Sequence, residues 1–159
     1  MSSKMLSILM RISVIAMAVC GLFLIGYLVP VLGASLATEY PEFSSWYLPW
    51  LIFLSVISIP CFAVLIFVWL VADAVQSEEV FTVRTASWIK VSAILIFADT
   101  VLFFVGNIIF WFIGLSHPTV LLASLILDIF AIALAVLAAT LSRYLTKAAL
   151  LQEESEGTI

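Results

Sequence analysis

Charge is what this sequence has least of. Only 10% of its 159 residues are charged and 65% are apolar, against roughly 25% and 45–50% in soluble globular domains, which excludes a water-soluble fold. Six Lys and Arg against a net charge of −4 exclude the basic patch of a direct nucleic-acid binder. The one histidine, His117, stands in a turn before Pro118 with no Cys, Asp or Glu at ligand spacing, so neither a metal site nor a histidine-activated nucleophile is encoded. There is no glycine-rich phosphate loop, and no cofactor is expected. The two cysteines, Cys20 and Cys61, form no C-x-x-C pair, which argues against the four-helix quinone-linked disulfide-forming enzymes. Both fall in apolar stretches and read as buried thiols acting as small apolar residues. Inverted repeats of the transporter kind are missing too, since the prolines sit mostly in the first half and the intramembrane acids in the second.

What is present is long apolar runs. Four can cross the ~30 Å hydrocarbon core: about 12–36, 49–72, 91–115 and 119–142. Lys4 and Arg11 precede the first, Arg84 and Lys90 lie between the second and third, and Arg143 and Lys147 follow the fourth. The other two connections carry no Lys or Arg. Basic residues near span ends stay in the cytoplasm, so the expectation is a single all-α domain, a four-helix transmembrane bundle in the cytoplasmic membrane. Both termini, the 73–90 loop and the 143–159 tail would be cytoplasmic, with outer loops at 37–48 and 116–118. The first run resembles a signal peptide up to Cys20-Gly21. Bulky Val19 and an apolar run continuing to Leu36 predict a retained span instead.

Pro30 is expected to kink span one, and Pro60 to leave span two with a missing donor that Ser55 and Ser58 could help offset. Trp46, Tyr47 and Trp50 after Tyr40 read as an interfacial aromatic belt. Thr82 is a plausible N-cap for span three, with Phe81 packing back on that helix. Membrane lipids are partners by necessity, and the basic collars would attract anionic headgroups.

Asp99 and Asp128 are the chemical anomaly, because an acid at the centre of a span costs roughly 2.5–3.5 kcal/mol and is a functional candidate by default. Counting from a turn centred near Ser116 sets Asp128 about level with Asn107 and Asp99 about one turn deeper, so an Asn107–Asp128 hydrogen bond is the expected pairing. No intramembrane Lys, Arg or His offers a counter-charge, which favours neutral hydrogen-bonded acids over an ion pair. Two readings stand: a protonatable or ion-coordinating pair, or two acids that fix helix packing. Ser124, Asp128, Ala131, Ala135, Ala138 and Ser142 form a small-residue stripe on span four, suited to close approach of span three or of a second copy in a homo-oligomer. Gly21, Gly26 and Gly33 form a weaker one on span one.

Glu79-Val80-Phe81-Thr82, with Ala86 and Ile89 after it, and the closing run from Ala148 through Glu153, Glu154 and Glu156 to Ile159 resemble the YoaS-like proteins, a bacterial membrane family of unknown function. That family shows Gly-Glu-x-Phe-Thr before span three, where this chain has Glu78-Glu79-Val80-Phe81-Thr82, a departure that weakens the case for a retained tight turn. The resemblance implies a cytoplasmic partner of the Cro/C1 helix-turn-helix type. A non-enzymatic interaction role would then rest on Phe81, Thr82, Arg84, Glu153 and Glu154. The alternative is an ion-coupled, immunity or membrane-complex component using Asp99 and Asp128.

Overall fold

The computed structural model describes residues 3–156, and within them every regular element is helical. Gly157-Thr158-Ile159 of the closing run lie outside the described residues. The chain forms α1 (Ser3–Phe23), a π-helical segment (Leu24–Leu28), α2 (Val29–Glu39), a 3₁₀ turn (Pro41–Phe43), α3 (Ser44–Gln76), α4 (Val83–Phe112) and α5 (Pro118–Glu156). Four stretches, Ser3–Glu39, Pro41–Gln76, Val83–Phe112 and Pro118–Ser155, are each long and apolar enough to cross a membrane.

Two boundaries differ from the sequence expectation. The connection at 37–48 is almost wholly helical, because α2 runs to Glu39 and α3 starts at Ser44 with Pro49 inside it. The turn between spans three and four begins at Ile113, earlier than the Ser116-His117-Pro118 corner.

Pro30 acts through the turn before it. Its ring removes one helical donor and crowds the carbonyl four residues back, that of Gly26, and the helix answers by widening into the π segment Leu24–Leu28. Pro60 is absorbed within a continuous α3. Ser55 and Ser58 do not compensate it: their hydroxyls donate to the Leu51 and Ser55 carbonyls at 2.7 Å each, while the carbonyl that Pro60 leaves without its amide is that of Val56.

The helices pack in chain order. The first arm, α1 with α2, lies on α3, α3 on α4, and α4 on α5. Among the described residues no close approach joins the first arm to α4 or α5, so the bundle is open between its two ends.

The core is built from small side chains. Ala72, Ala86, Ala93, Ala135 and Ala149 are buried beside Ser7, Ser92, Ser124 and Ser142, and apart from Val14, Val75 and Leu145 the large aliphatic residues are exposed or half-buried, with small residues where helices meet. The span-four stripe is spent inside the chain, since Ser124, Asp128, Ala135 and Ser142 are each at most 4% exposed on the helix that packs α4. On the first arm, Gly21 admits the Phe62 ring and Gly33 the Tyr47 ring, whereas Gly26 meets nothing.

All six Lys and Arg lie at one end. Ser7 donates to the Ala72 carbonyl at 2.7 Å, Arg11 pairs with Asp73 at 2.7 Å and lies over the Trp69 ring, and Ser142 reaches Ala86 at 2.7 Å. The start of α1, the end of α3, the start of α4 and the late part of α5 therefore share that basic end. The opposite end is aromatic, and there Trp50 donates to the Leu115 carbonyl at 2.7 Å, tying α3 to the α4–α5 turn.

Both tight turns end a helix in the same way. After α4, Gly114 at φ 73° carries a pair of bonds, Leu115 N to Phe110 O at 2.8 Å and Gly114 N to Trp111 O at 3.2 Å. After α3, Glu78 at φ 62° does the same, with Glu79 N to Ala74 O at 3.0 Å and Glu78 N to Val75 O at 3.4 Å. Each is a Schellman cap with its pivotal residue left-handed. The tight turn before α4 is thus kept although glutamate stands where glycine is the natural choice.

Candidate functional site

Asp99 on α4 and Asp128 on α5 line one small cavity of about 150 Å³, together with Ile57 of α3 and Thr100, Phe103 and Ala131. The Ser142–Ala86 bond fixes why they meet. Stepping equally from each partner toward the turn brings Asp128 opposite Thr100, next to Asp99, and sets Asn107 opposite Leu121. The expected Asn107–Asp128 bond is therefore not made. Asn107 is fully buried and donates to the Phe103 carbonyl of its own helix at 2.9 Å. The turn is centred at the left-handed Gly114, about two residues earlier than Ser116, which accounts for about four of the seven residues between Asn107 and Thr100.

The pair carries open hydrogen-bonding capacity. Cys61 of α3 donates its thiol to Asp99 Oδ2 at 3.3 Å, leaving Asp99 Oδ1 buried without a partner. Asp128 is 4% exposed and its Oδ2 is likewise unpaired, as is Asn107 Oδ1. Buried polar atoms are nearly always satisfied, so the open oxygens of Asp99 and Asp128 on one cavity leave room there for a further hydrogen-bond partner, whereas Asn107 lies about two turns away and does not line it. Among the described residues no three His, Cys, Asp or Glu side chains assemble as a metal site. Cys61 and Cys20 are both on the outer surface of the chain, not buried as expected, and the Cys61 contact to Asp99 was not foreseen because relating α3 to α4 needs the tertiary packing.

The basic-end candidates do mostly structural work. Thr82 caps α4, its hydroxyl accepting from Thr85 N at 3.2 Å, and Thr85 donates to the Glu79 carbonyl at 3.3 Å. The Glu79-to-Thr82 motif is thereby explained as a turn-and-cap unit. Phe81 is 56% exposed, so it does not staple the helix. Arg84 lies over Trp88, 5.1 Å from the ring centroid. At the other side of this end α5 stays helical to Glu156, which puts Glu153 and Glu154 on an arm beyond the basic collar. The structure does not bring these acids onto the Phe81–Arg84 segment, since α5 has already run about three turns past the level of Ala86 by Glu153. His117, read as a turn residue, caps α5: Thr119 N donates to its Nδ1 at 3.2 Å, with Pro118 at the first helical position.

Four lipid-length apolar helices around buried small and polar residues define a small multi-pass membrane protein. The chain belongs to DUF2975, a family of proteins of unknown function, whose model matches residues 31–159. The matched region holds α3, α4 and α5 entire, and with them Asp99, Asp128 and the Glu79–Thr82 turn. No curated protein and no solved structure matches the chain.

Proposed function

We propose that this is a non-enzymatic protein of the bacterial cytoplasmic membrane, with both termini in the cytoplasm, that engages a cytoplasmic regulator at its basic end. One observation carries this reading: α5 is 39 residues long, about 58 Å at 1.5 Å per residue, far more than a ~30 Å bilayer core needs. The surplus projects from the basic end as a helical arm. Leu145 and Ala149 are buried on one side of it, while Tyr144 and Leu151 are 65% and 66% exposed ahead of Glu153. An apolar stripe followed by acids on a protruding helix suits a helix-in-groove contact. All six cations at that end support its cytoplasmic placement. The partner type follows the YoaS-like resemblance, a Cro/C1 helix-turn-helix regulator. The test is recovery of that regulator with the tagged protein in mild detergent, compared with a chain deleted from Gln152 onward and with Leu151→Ser. Undiminished recovery with both variants refutes the arm as the contact.

The shared cavity of Asp99 and Asp128 favours a second reading, a proton- or cation-handling component of a larger membrane assembly. Here Asp99→Asn and Asp128→Asn abolish activity with the fold intact. Unfolding of both variants assigns the acids to packing.

A further inference from the structure

The six cations of the basic end are not equally placed. Arg11 is committed to Asp73 and Trp69, and Arg84 lies over Trp88. Lys90, Arg143 and Lys147 instead converge on one groove of about 620 Å³ between α4 and α5, within the ~300–1,000 Å³ of ligand sites. Its floor is Ala93 and Ala135, both 4% exposed, and its walls are Ile94, Phe97 and Val136, each more than half exposed. No acidic residue lines it.

We propose that this groove binds an anionic glycerophospholipid of the surrounding leaflet. The polarity of the groove matches that molecule along its length. By the Ser142–Ala86 register, Lys90 stands level with Ala138, and Arg143 and Lys147 follow about 8 and about 13 Å nearer the basic end. The apolar walls lie on the other side of Lys90, deeper in the membrane. A phosphate held by Lys90 and Arg143 therefore leaves its acyl chain running over Ala93 and Ala135 between Phe97 and Val136, with Lys147 at the headgroup. Small floor residues give the chain its slot, and the long cationic stems reach the interface while covering apolar surface. Basic pockets between spans on the cytoplasmic side are suited to anionic headgroups.

The test is native mass spectrometry of the detergent-solubilised protein with added phosphatidylglycerol or phosphatidylcholine. Phosphatidylglycerol is expected to be retained preferentially. The double variant Lys90→Gln, Arg143→Gln should lose roughly 25-fold in retention, about fivefold per charge. Lys4→Gln with Arg84→Gln removes the same charge from the same end and should change retention less than about threefold. Ala139→Phe, which fills the groove with every cation in place, should displace the lipid, and it tests the site even if the neutral double variant does not fold. Equal losses in the two double variants, equal retention of phosphatidylcholine, undiminished binding in Ala139→Phe, or a dimer that closes the groove without lipid would each overturn the assignment.

Discussion

Ser142 donates its hydroxyl to the main-chain carbonyl of Ala86 at 2.7 Å across the α4–α5 interface, and both residues are buried. This contact sets the register that brings Asp99 beside Asp128. The Ala86 carbonyl sits inside α4, so losing the hydroxyl leaves it without one contact but not orphaned. Ser142→Ala should cost about 0.6 kcal/mol, the average for interhelical bonds within membranes, and no more than about 1.7 kcal/mol. Ser142→Leu must push apart helices that meet at Ala86 and should cost more, about 1–3 kcal/mol. Reversible unfolding in mixed micelles measures both, and equal effects would show that the hydroxyl alone matters.

The two left-handed helix caps make an opposed pair of predictions. Glu78→Gly relieves a side chain held at φ 62° and should stabilise by up to about 1 kcal/mol, less the exposed bond that Glu78 accepts from Ser3. Gly114→Ala adds a Cβ at φ 73° and should destabilise by about 1 kcal/mol, although nothing stands near that Cβ. The comparison separates backbone strain from crowding. Destabilisation by Glu78→Gly would mean that the glutamate side chain contributes more than its conformation costs.

Gly106 raises the converse case, where space rather than conformation is limiting. A Cβ there would overlap the Phe53 ring, itself packed on Phe103 at 5.9 Å, Phe110 at 5.1 Å and Trp50 at 5.9 Å between centroids. Gly106→Ala should cost about 1–3 kcal/mol by overpacking. Phe53→Leu in the same chain should recover part of it. No recovery would mean that the strain lies elsewhere than at that ring.

How much of this was legible beforehand follows from range. Span number, the one-sided cations and the Thr82 cap depend on residues near one another in sequence, and hydropathy with local hydrogen bonding finds them. The partner of Asp128 depends on where the α4–α5 turn is centred, and an error of about two residues at Gly114 rotates a helix by more than half a turn. A two-residue shift of the centre moves the residue opposite Asp128 by about four along α4, and levelling it with Asn107 overshoots by about three more; together these separate Asn107 from the Asp99–Thr100 level. Cys61 and Gly106 were out of reach for another reason: each acquires its role from a helix that no local pattern places against it. Glu78 shows the opposite limit, because a conformation that favours glycine was kept without one.

The Cys61–Asp99 contact tests whether the acid pair is held from α3 as well as from α4 and α5. The thiol gives Asp99 Oδ2 its one side-chain partner, at 3.3 Å, while Oδ1 has none. Cys61→Ala removes a weak donor and should cost less than about 1 kcal/mol by itself. Asp99→Asn alters the same bond from the other side, and an amide turned with its nitrogen toward Cys61 loses it altogether. In a double-mutant cycle the two substitutions should therefore be non-additive, with a coupling of roughly 0.5–1 kcal/mol. Asp128→Asn, on a helix that does not closely approach α3, should add to Cys61→Ala within about 0.5 kcal/mol. Additivity in the first cycle would detach Asp99 from α3, and coupling in the second would mean that the carboxyls of Asp99 and Asp128 respond as one unit across their shared cavity.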